Sequence, residues 1–481
     1  MSRGVGLIGL IVLLGCGGPE TPDAGAPDAG GTDASMYRPP DAGPPGAAID
    51  PTVSCDAIAA DLYMTPAGLP PFTSALRGTL LGCALLESID AAALRARLPS
   101  DVDVYGGVRV YLVAFRTATT TPDTEAISTA VVALPDVALS DTVPVVLAMH
   151  GSVGLPDACT PSGFLDDVPT WLRPSYVDAM FYAWAAHGLP VIAPDYPGLG
   201  TEGTHAYASW TEPARSGIDA SRALRSMLPA ARLASDTVVY GHSQGGGLAL
   251  GVAAVANEAP DVSLSAVVSM APGYRLLPLV EVFRLPDFPI GPAVLGAAAL
   301  AGYSELAQLT SDRAEIASIF ASPVRDHVMQ AVETLCYGDL VGDLATPSAG
   351  YVPPTTAGEL IDETFRLAAI ACSDGGSCDG LSGAFAMRDA ANEPHLSASS
   401  PPVLILASND DEAVSPEYAG CVVERLAAES APSEACFQDG PDHLGVVEQR
   451  TGYAIAWALA ARAGIERPPC EGATRVARCP F

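Results

Sequence analysis

The chain has 481 residues, of which 49% are hydrophobic, so it can bury a sizeable core in one large domain with insertions or in two smaller domains. Its net charge of −31 at pH 7 makes binding to nucleic acid or to an anionic surface unfavourable. All 24 basic residues are arginine, which excludes pyridoxal Schiff-base chemistry, a P-loop lysine and a Ser-Lys dyad.

The N-terminus has the features of a targeting segment. Arg3 precedes an apolar run over residues 5–14, which is too short to cross a bilayer as a helix and is typical of a signal peptide. The run ends in Leu-Leu-Gly-Cys at 13–16, which resembles the lipobox of bacterial lipoproteins. This resemblance implies cleavage after residue 15 and lipid attachment to Cys16. An ordinary secretory signal followed by an unrelated cysteine is the alternative.

Composition divides the rest of the chain. Residues 16–54 are rich in Pro, Asp, Ala and Gly, a composition that cannot bury enough surface to fold and predicts a flexible acidic tether. We expect an α/β core over 55–272 and 401–481, and a helical insertion over 273–400.

Ten cysteines remain besides Cys16, and export would place them in an oxidising compartment, so we expect disulfides. Connectivity cannot be deduced from sequence, but proximity suggests four pairs and leaves a fifth, long-range one. These are Cys55/Cys83, Cys372/Cys378, Cys421/Cys436, Cys470/Cys479 and Cys159/Cys336. The sequence has no C-x-x-C motif and no cluster of His with Cys, so we predict no metal site.

Strands alternate with helices along most of the chain. Two helices are predicted first, over 74–87 and 91–97. Strands are then predicted at 108–116, 127–134, 144–149, 189–195, 236–240, 264–270, 402–408 and 436–439. Helices are predicted at 176–187, 213–227, 247–256 and 446–463. This alternation indicates βαβ units, a mostly parallel sheet and an α/β fold.

Residues 273–400 interrupt the alternation between the sixth and seventh predicted strands. They carry several apolar runs at helical spacing and no clear buried strand. We predict a helical cap over the C-terminal edge of the sheet, where the sites of α/β proteins lie. Apolar helices over a site can form an acyl-chain groove, although an ordinary packed helical layer is the alternative.

Residues 241–246 read Gly-His-Ser-Gln-Gly-Gly and lie between a predicted strand and a predicted helix. This is the context of the nucleophile elbow, in which a serine occupies a tight strand-to-helix turn. The residues two before and two after it must lack a Cβ, and Gly241 and Gly245 meet that need. We predict that Ser243 is a nucleophile that faces the helix N-terminus; a glycine-rich turn is the alternative.

An activated serine needs a base and an acid that orients the base. His443 follows the last short strand, which is the order found in α/β-hydrolases, whereas the other histidines precede Ser243, lie in the insertion or, like His242, are expected to point away. Residues 409–414 offer three carboxylates. We predict Asp411, three residues before a valine, as the acid, with Asp410 second.

An oxyanion hole needs two backbone N–H groups. One is expected from Gln244, which directly follows the nucleophile. The other is expected from the loop after the strand at 144–149, with Ser152 first and Val153 second. A plain glycine turn in this loop is the alternative.

Several motifs together resemble the secretory lipase family of α/β-hydrolases, in its lipase A type. They are His-Gly-Ser-Val-Gly at 150–154, Cys-Thr-Pro-Ser at 159–162, Asp-Tyr-Pro-Gly-Leu-Gly-Thr at 195–201, His-Ala-Tyr at 205–207 and the elbow at 241–246. The long helical insertion and the late Asp and His follow them. The resemblance covers roughly residues 55–470.

The resemblance implies an α/β-hydrolase fold with a helical cap and the hydrolysis of carboxylic esters, often acylglycerols. It implies Ser243, Asp411 and His443 as the triad, and a link between Cys159 and the cap that supports the Cys159/Cys336 pair. The sequence departs from the family pattern at Ser408, where a glycine is usual at the end of the acid-bearing strand. The lipobox and tether are also outside that pattern.

We therefore predict a serine carboxylic-ester hydrolase that acts through an acyl-enzyme, without metal or cofactor, on a small ester or an acylglycerol. A peptidase of the same fold is one alternative, because the triad would serve amide cleavage equally. A catalytically inert, surface-tethered binding protein is another. Gly17 follows Cys16, as in lipoproteins sent to the outer membrane, so we expect an exported, lipid-anchored protein at the outer membrane or cell surface.

Overall fold

The computed structural model describes residues 46–119, 124–165, 168–273, 279–392 and 394–479. The predicted signal segment, Cys16 and most of the predicted tether lie outside the described residues. The strands are β1 Gly46–Ala47, β2 Leu80–Ile89, β3 Val108–Ala118, β4 Glu125–Pro135, β5 Val137–Ala138, β6 Val143–Met149, β7 Val191–Pro194, β8 Leu233–His242, β9 Ser263–Met270, β10 Val403–Ser408 and β11 Ser433–Gln438.

Helices account for most of the remaining regular structure in these ranges. They are α1 Ala91–Arg97, α2 Pro174–Phe181, α3 Ala183–Ala186, α4 Thr211–Met227, α5 Gln244–Val255, α6 Leu279–Phe283, α7 Pro292–Ala307, α8 Arg313–Ala317, α9 Arg325–Thr334, α10 Tyr337–Leu344, α11 Ala357–Leu360, α12 Glu363–Ser373, α13 Gly380–Ala391, α14 Pro416–Ala428 and α15 Gly445–Ala463. Within the described ranges, none of these helices combines the length and apolar character needed to cross a bilayer.

Nine strands form the central sheet, in the order β11-β10-β9-β8-β6-β7-β4-β3-β2. The six strands from β11 to β7 run parallel, whereas β4, β3 and β2 extend the sheet in antiparallel fashion. Five of the eight neighbouring pairs are therefore parallel, which confirms the predicted mostly parallel sheet. Helices α4 and α5 pack on this sheet and on each other, and α15 packs on β9 and β10.

Helices α6 to α13 form the insertion between β9 and β10, which are the strands predicted to flank it. Their apolar faces bury a second hydrophobic cluster, separate from the one around the sheet, that includes Leu300, Phe320, Val328, Leu340 and Phe385. The insertion is thus a packed helical layer with its own core. Counted along the chain, it lies between the seventh and eighth strands of the sheet, because the sheet contains one strand more than predicted.

That additional strand is β2, which replaces the helix predicted over 74–87. The segment is rich in Leu and Ala, which favour helices, but it pairs with β3 from Val108 to Phe115 and is tied to Cys55 through the Cys55–Cys83 disulfide. Gly78 has a φ of +75°, and a Cβ on Gly82 would lie 2.6 Å from Leu62 Cδ2. Tertiary pairing at the sheet edge therefore overrides local propensity.

Three predicted disulfides are confirmed: Cys55–Cys83, Cys159–Cys336 and Cys372–Cys378. The other two predictions, Cys421/Cys436 and Cys470/Cys479, are wrong, because the structure pairs Cys421 with Cys479 and Cys436 with Cys470.

The course of the C-terminal segment explains this exchange. The segment runs past β11, where Thr474 N–H donates to Phe437 O (2.8 Å), and on to α14, where Cys479 N–H donates to Glu424 Oε1 (3.1 Å). Each of its cysteines therefore meets a cysteine of the core, and proximity in sequence misleads.

The folded part also begins earlier than predicted. Strand β1 pairs with β5, Ile49 is fully buried, and Thr52 N–H donates to Met227 O (2.8 Å). Residues 46–52, which composition assigned to the tether, are therefore attached to the core. Composition alone missed them because one buried isoleucine does not change a Pro- and Gly-rich average.

Candidate active site

The turn between β8 and α5 carries Ser243 in an unusual backbone conformation. Its φ of 57° and ψ of −122° are sparsely populated by residues with a side chain. Two backbone hydrogen bonds hold the turn: Ser243 N–H donates to Met270 O (2.9 Å), and Gly273 N–H donates to Ser243 O (2.8 Å). Ser243 is half-buried, at the first turn of a helix whose leading N–H groups have no intrahelical partner.

The glycines around Ser243 are required by close packing. A Cβ on Gly241 would lie 2.1 Å from Gly245 O, and a Cβ on Gly245 would lie 1.9 Å from Met149 O. A Cβ on Gly247 would lie 2.5 Å from the Trp210 ring. No side chain fits at these distances, so the turn and the close approach of α5 to the sheet both depend on glycine.

His443 and Asp411 form a hydrogen-bonded pair in the loops after β11 and β10. His443 Nδ1 lies 2.8 Å from Asp411 Oδ2 and 3.0 Å from Oδ1, and both side chains are largely buried. Asp411 Oδ1 also accepts hydrogen bonds from Ala413 N–H (2.9 Å) and Val414 N–H (2.8 Å). The carboxylate is thus fixed, and it holds the imidazole proton on Nδ1, which leaves Nε2 as an acceptor.

The two neighbouring acids make different contacts. Asp410 Oδ2 accepts from Gly440 N–H (2.5 Å), and Glu412 Oε2 accepts from His443 N–H (3.3 Å). Both carboxylates therefore hold the backbone of the loop at 440–445, whereas Asp411 binds the imidazole.

His242, which precedes Ser243 in the sequence, contacts His443. The His242 and His443 rings lie 4.5 Å apart between centroids, and His242 Nε2–H donates to His443 O (2.9 Å). Among the described residues, no hydrogen bond joins Ser243 Oγ to the His443 ring. Contacts of this kind are often long in the absence of a ligand and tighten when substrate binds.

His242 is not among the predicted site residues, yet its ring supports the loop that carries His443. Because its Nε2–H donates to a carbonyl, its Nδ1 accepts, and Tyr176 O–H donates to it (3.1 Å). Burial, followed by the proximity of His443, holds the pKa of His242 well below its ordinary value, so this imidazole stays neutral. In the sequence, the contact of His242 with the His443 loop is indicated by one feature, the position of His242 next to Ser243.

Arg173 also holds the His443 loop and was not predicted. Its guanidinium binds both oxygens of Asp442 (2.7 Å each) and lies 2.7 Å from Glu448 at the start of α15. Such a two-pronged contact fixes orientation as well as position. It joins the loop that carries His443 to the segment before α2.

The two predicted oxyanion residues are chain neighbours of Ser243 and of Gly151, which packs against Ser243. Gln244 is the first residue of α5, and Ser152 follows Gly151, where an added Cβ would lie 3.3 Å from Ser243 Cβ. Val153 O, one residue further, accepts from Tyr337 N–H of the insertion (2.9 Å). The loop after β6 is therefore held between the elbow and α10.

A layer of buried, neutral aromatic rings lies beside these loops. The rings of His150 and Tyr196 stack with centroids 4.0 Å apart, and those of Tyr196 and His205 stack at 5.3 Å. Burial lowers the pKa of His150 to about 4 and that of His205 to about 3. His205 Nε2 accepts from the Gln244 side-chain N–H (3.0 Å), which links the layer to the elbow.

The chemistry that these groups can support is acyl transfer. A hydroxyl on a strained turn and a carboxylate-bound imidazole are parts of a nucleophilic site. In the described part of the chain, no group of three or more His, Cys, Asp or Glu side chains is arranged to hold a metal ion.

Solved structures define the class of fold. No protein-family model and no curated protein sequence matches this chain. It is similar in structure to lipase A from Candida antarctica in its closed state, with a TM-score of 0.59 and 16% identity, over 89% of this chain and 91% of the lipase. It is also similar to the rice cell wall degrading esterase LipA from Xanthomonas oryzae, with a TM-score of 0.55 and 16% identity, over 81% of this chain and 98% of the esterase. The chain has the α/β-hydrolase fold.

The free energy of unfolding should fall as the pH falls from about 6.5 towards 4. His150 and His205 stay neutral when folded, but in the unfolded chain they titrate near 6.5, so the unfolded state binds more protons in this window. Each of these two imidazoles should lower the free energy of unfolding by on the order of 2 kcal/mol when the pH falls from 7 to 5.

Urea unfolding of the variant His205→Gln, which keeps an acceptor for Gln244, checks this pH dependence. The variant should lose less stability between pH 7 and pH 5 than the wild type. Equal pH dependence in both proteins would contradict the prediction.

Proposed function

We propose that this protein is a serine carboxylic-ester hydrolase in which Ser243 is the nucleophile, His443 the general base and Asp411 the acid that orients the base. One observation carries the proposal: a serine on a strained elbow and an imidazole bound at 2.8 Å by a buried carboxylate occur together, in the chain order Ser, Asp, His. The α/β fold supports the proposal, because the active sites of α/β proteins lie at the C-terminal ends of the parallel strands, where these residues are found.

In the proposed mechanism, the Ser243 hydroxyl attacks the ester carbonyl while its proton passes to His443 Nε2. The tetrahedral oxyanion is bound by the backbone N–H groups of Gln244 and Ser152. His443 then gives the proton to the departing alcohol, which leaves an acyl group on Ser243. Water, activated in turn by His443, hydrolyses this acyl-enzyme. Asp411 keeps the imidazole in the required tautomer and stabilises the imidazolium.

The choice of an ester as substrate rests on the proteins that share the fold. They are described as a lipase and as a cell wall degrading esterase, and both names imply ester cleavage. The insertion is attached to the loop that carries Ser152, because Tyr337 N–H donates to Val153 O, so it lies beside the proposed site.

Ser243→Ala should abolish hydrolysis of p-nitrophenyl esters and labelling by a fluorophosphonate probe, with little change in thermal stability. Loss of the nucleophile removes several orders of magnitude in rate. Ser226→Ala, at an exposed serine of α4, is the matched control and should keep both activities. Activity of Ser243→Ala within about tenfold of the wild type would rule out the proposed nucleophile.

Asp411→Asn and Asp410→Asn provide a second, independent test of the site. The amide at 411 would favour the wrong tautomer of His443 and should lower kcat by roughly 10⁴-fold. The amide at 410 replaces a carboxylate that accepts from the backbone N–H of Gly440 and not from the imidazole, so kcat should change by less than about tenfold. Steady-state kinetics on one ester decides, and the reverse order of effects would move the acid to Asp410.

We also propose that the protein is exported and anchored by lipid on Cys16. The apolar run at 5–14 and the Leu-Leu-Gly-Cys that ends it support this, as do five disulfides, which persist in oxidising compartments. Several acyl chains on one cysteine would anchor stably, whereas a single chain would bind only marginally.

Cys16→Ser tests the anchor by detergent phase partitioning. The wild type should enter the detergent phase, whereas the variant should appear as an active enzyme in the aqueous phase or as an uncleaved precursor. A processed Cys16→Ser protein that stays in the detergent phase would show that the anchor lies elsewhere.

A further inference from the structure

Tyr207 contacts both residues to which we assign the oxyanion site. Its hydroxyl lies 2.7 Å from Ser152 Oγ, and its backbone carbonyl accepts from the Gln244 side-chain N–H at 3.3 Å. Ser152 follows β6, Gln244 begins α5, and Tyr207 lies in the loop after β7, so one residue joins three separate segments of the chain.

Tyr207 is itself held firmly. Its side chain is partly buried, and its ring packs edge-to-face on His205 at 6.2 Å between centroids, while its N–H donates to His205 O (2.9 Å). His205 in turn accepts from Gln244, so Gln244 is bound both by Tyr207 and by the ring against which Tyr207 packs. Burial raises the pKa of Tyr207 to about 12, so its hydroxyl keeps its proton throughout the neutral range.

The opposite side of the Ser152 loop is fixed by the insertion. Tyr337 N–H donates to Val153 O, and Gly154 forms a β-bridge with Cys336. These contacts hold residues 153 and 154 through the backbone. At 152 the side chain makes the corresponding contact, and its partner is Tyr207.

We propose that Tyr207 is a positioning residue of the oxyanion site, which sets the separation of its two halves by binding Ser152 through its hydroxyl and Gln244 through its carbonyl. This inference rests on the proposed function. Because an oxyanion donor must lie within a few tenths of an ångström of its optimum, loss of the hydroxyl contact should act on the transition state and not on substrate binding.

Tyr207→Phe removes the hydroxyl and leaves the ring and the carbonyl in place. We expect kcat to fall about tenfold or more, with KM within about twofold of the wild type. Affinity for a trifluoromethyl ketone, which forms an oxyanion on a serine nucleophile, should fall by a similar factor. Affinity for the matching methyl ketone should not change, although a merely structural defect would weaken both.

A double-mutant cycle identifies the route of the effect. If the Tyr207 hydroxyl acts through Ser152, then Ser152→Ala should cause a similar loss, and Ser152→Ala/Tyr207→Phe should be no worse than Ser152→Ala alone. Tyr351→Phe is the matched control, since its buried hydroxyl donates to Leu344 O (2.7 Å) within the insertion, and it should keep the wild-type kcat.

Two results would overturn the inference. One is that Tyr207→Phe keeps the wild-type kcat and the wild-type affinity for the trifluoromethyl ketone. The other is that the kcat of the double variant falls by the product of the two single-variant factors. If Tyr207→Phe does not fold, Ser152→Ala alone decides, because a wild-type kcat in that variant removes the proposed link. Failure of the proposed function is a separate outcome, recognised by activity that survives Ser243→Ala.

Discussion

The contact between the elbow and the end of β6 is the constraint on which the rest of the site depends. Strands β6 and β8 are neighbours in the sheet, and the turn after β8 folds back so closely that Gly245 leaves no room for a Cβ beside Met149 O. This packing forces Ser243 into its strained conformation and places the start of α5 beside the loop after β6. Because β6, β7, β8, β10 and β11 run parallel, the loops that follow them open at the same edge.

The buried groups around this edge of the sheet are either compensated charges or neutral. The Asp411 carboxylate is compensated by two backbone N–H groups and by His443, as a largely buried charge requires. The buried imidazoles of His150, His205 and His242 are kept neutral by burial, so they add no positive charge to this part of the structure. The ion pairs of Arg173 with Asp442 and Glu448 lie further out, where they fix the loop at a smaller desolvation cost.

The sequence predicts those features that depend on residues close together along the chain, and it misses those that depend on contacts between distant segments. The strand-turn-helix at Ser243 and the pairing of Asp411 with His443 could be predicted from local features: the turn is a steric demand within five residues, and Asp411 is favoured by its spacing to a nearby valine. Strand β2 is not local, because its conformation comes from pairing with β3 against a helix-favouring composition. The partners of the C-terminal cysteines depend on where residues 464–479 return to the core. Tyr207 stood in a motif visible in the sequence, but its contacts with Ser152 and Gln244 join loops that only the folded sheet brings together.

The insertion is attached to the same loops that hold the proposed oxyanion site. Its contacts with the loop after β6 are the Cys159–Cys336 disulfide and the Tyr337 N–H bond to Val153 O. Its contacts with the loop after β7 are the hydrogen bonds of Gln308 Nε2–H to Thr204 O (2.8 Å) and of Asn392 to Ala208 O (2.9 Å). The start of α10 therefore cannot move away from the Ser152 loop without breaking a covalent bond. Any rearrangement that admits a substrate has to leave this attachment in place, and for that reason the insertion helps to fix the shape of the proposed oxyanion site.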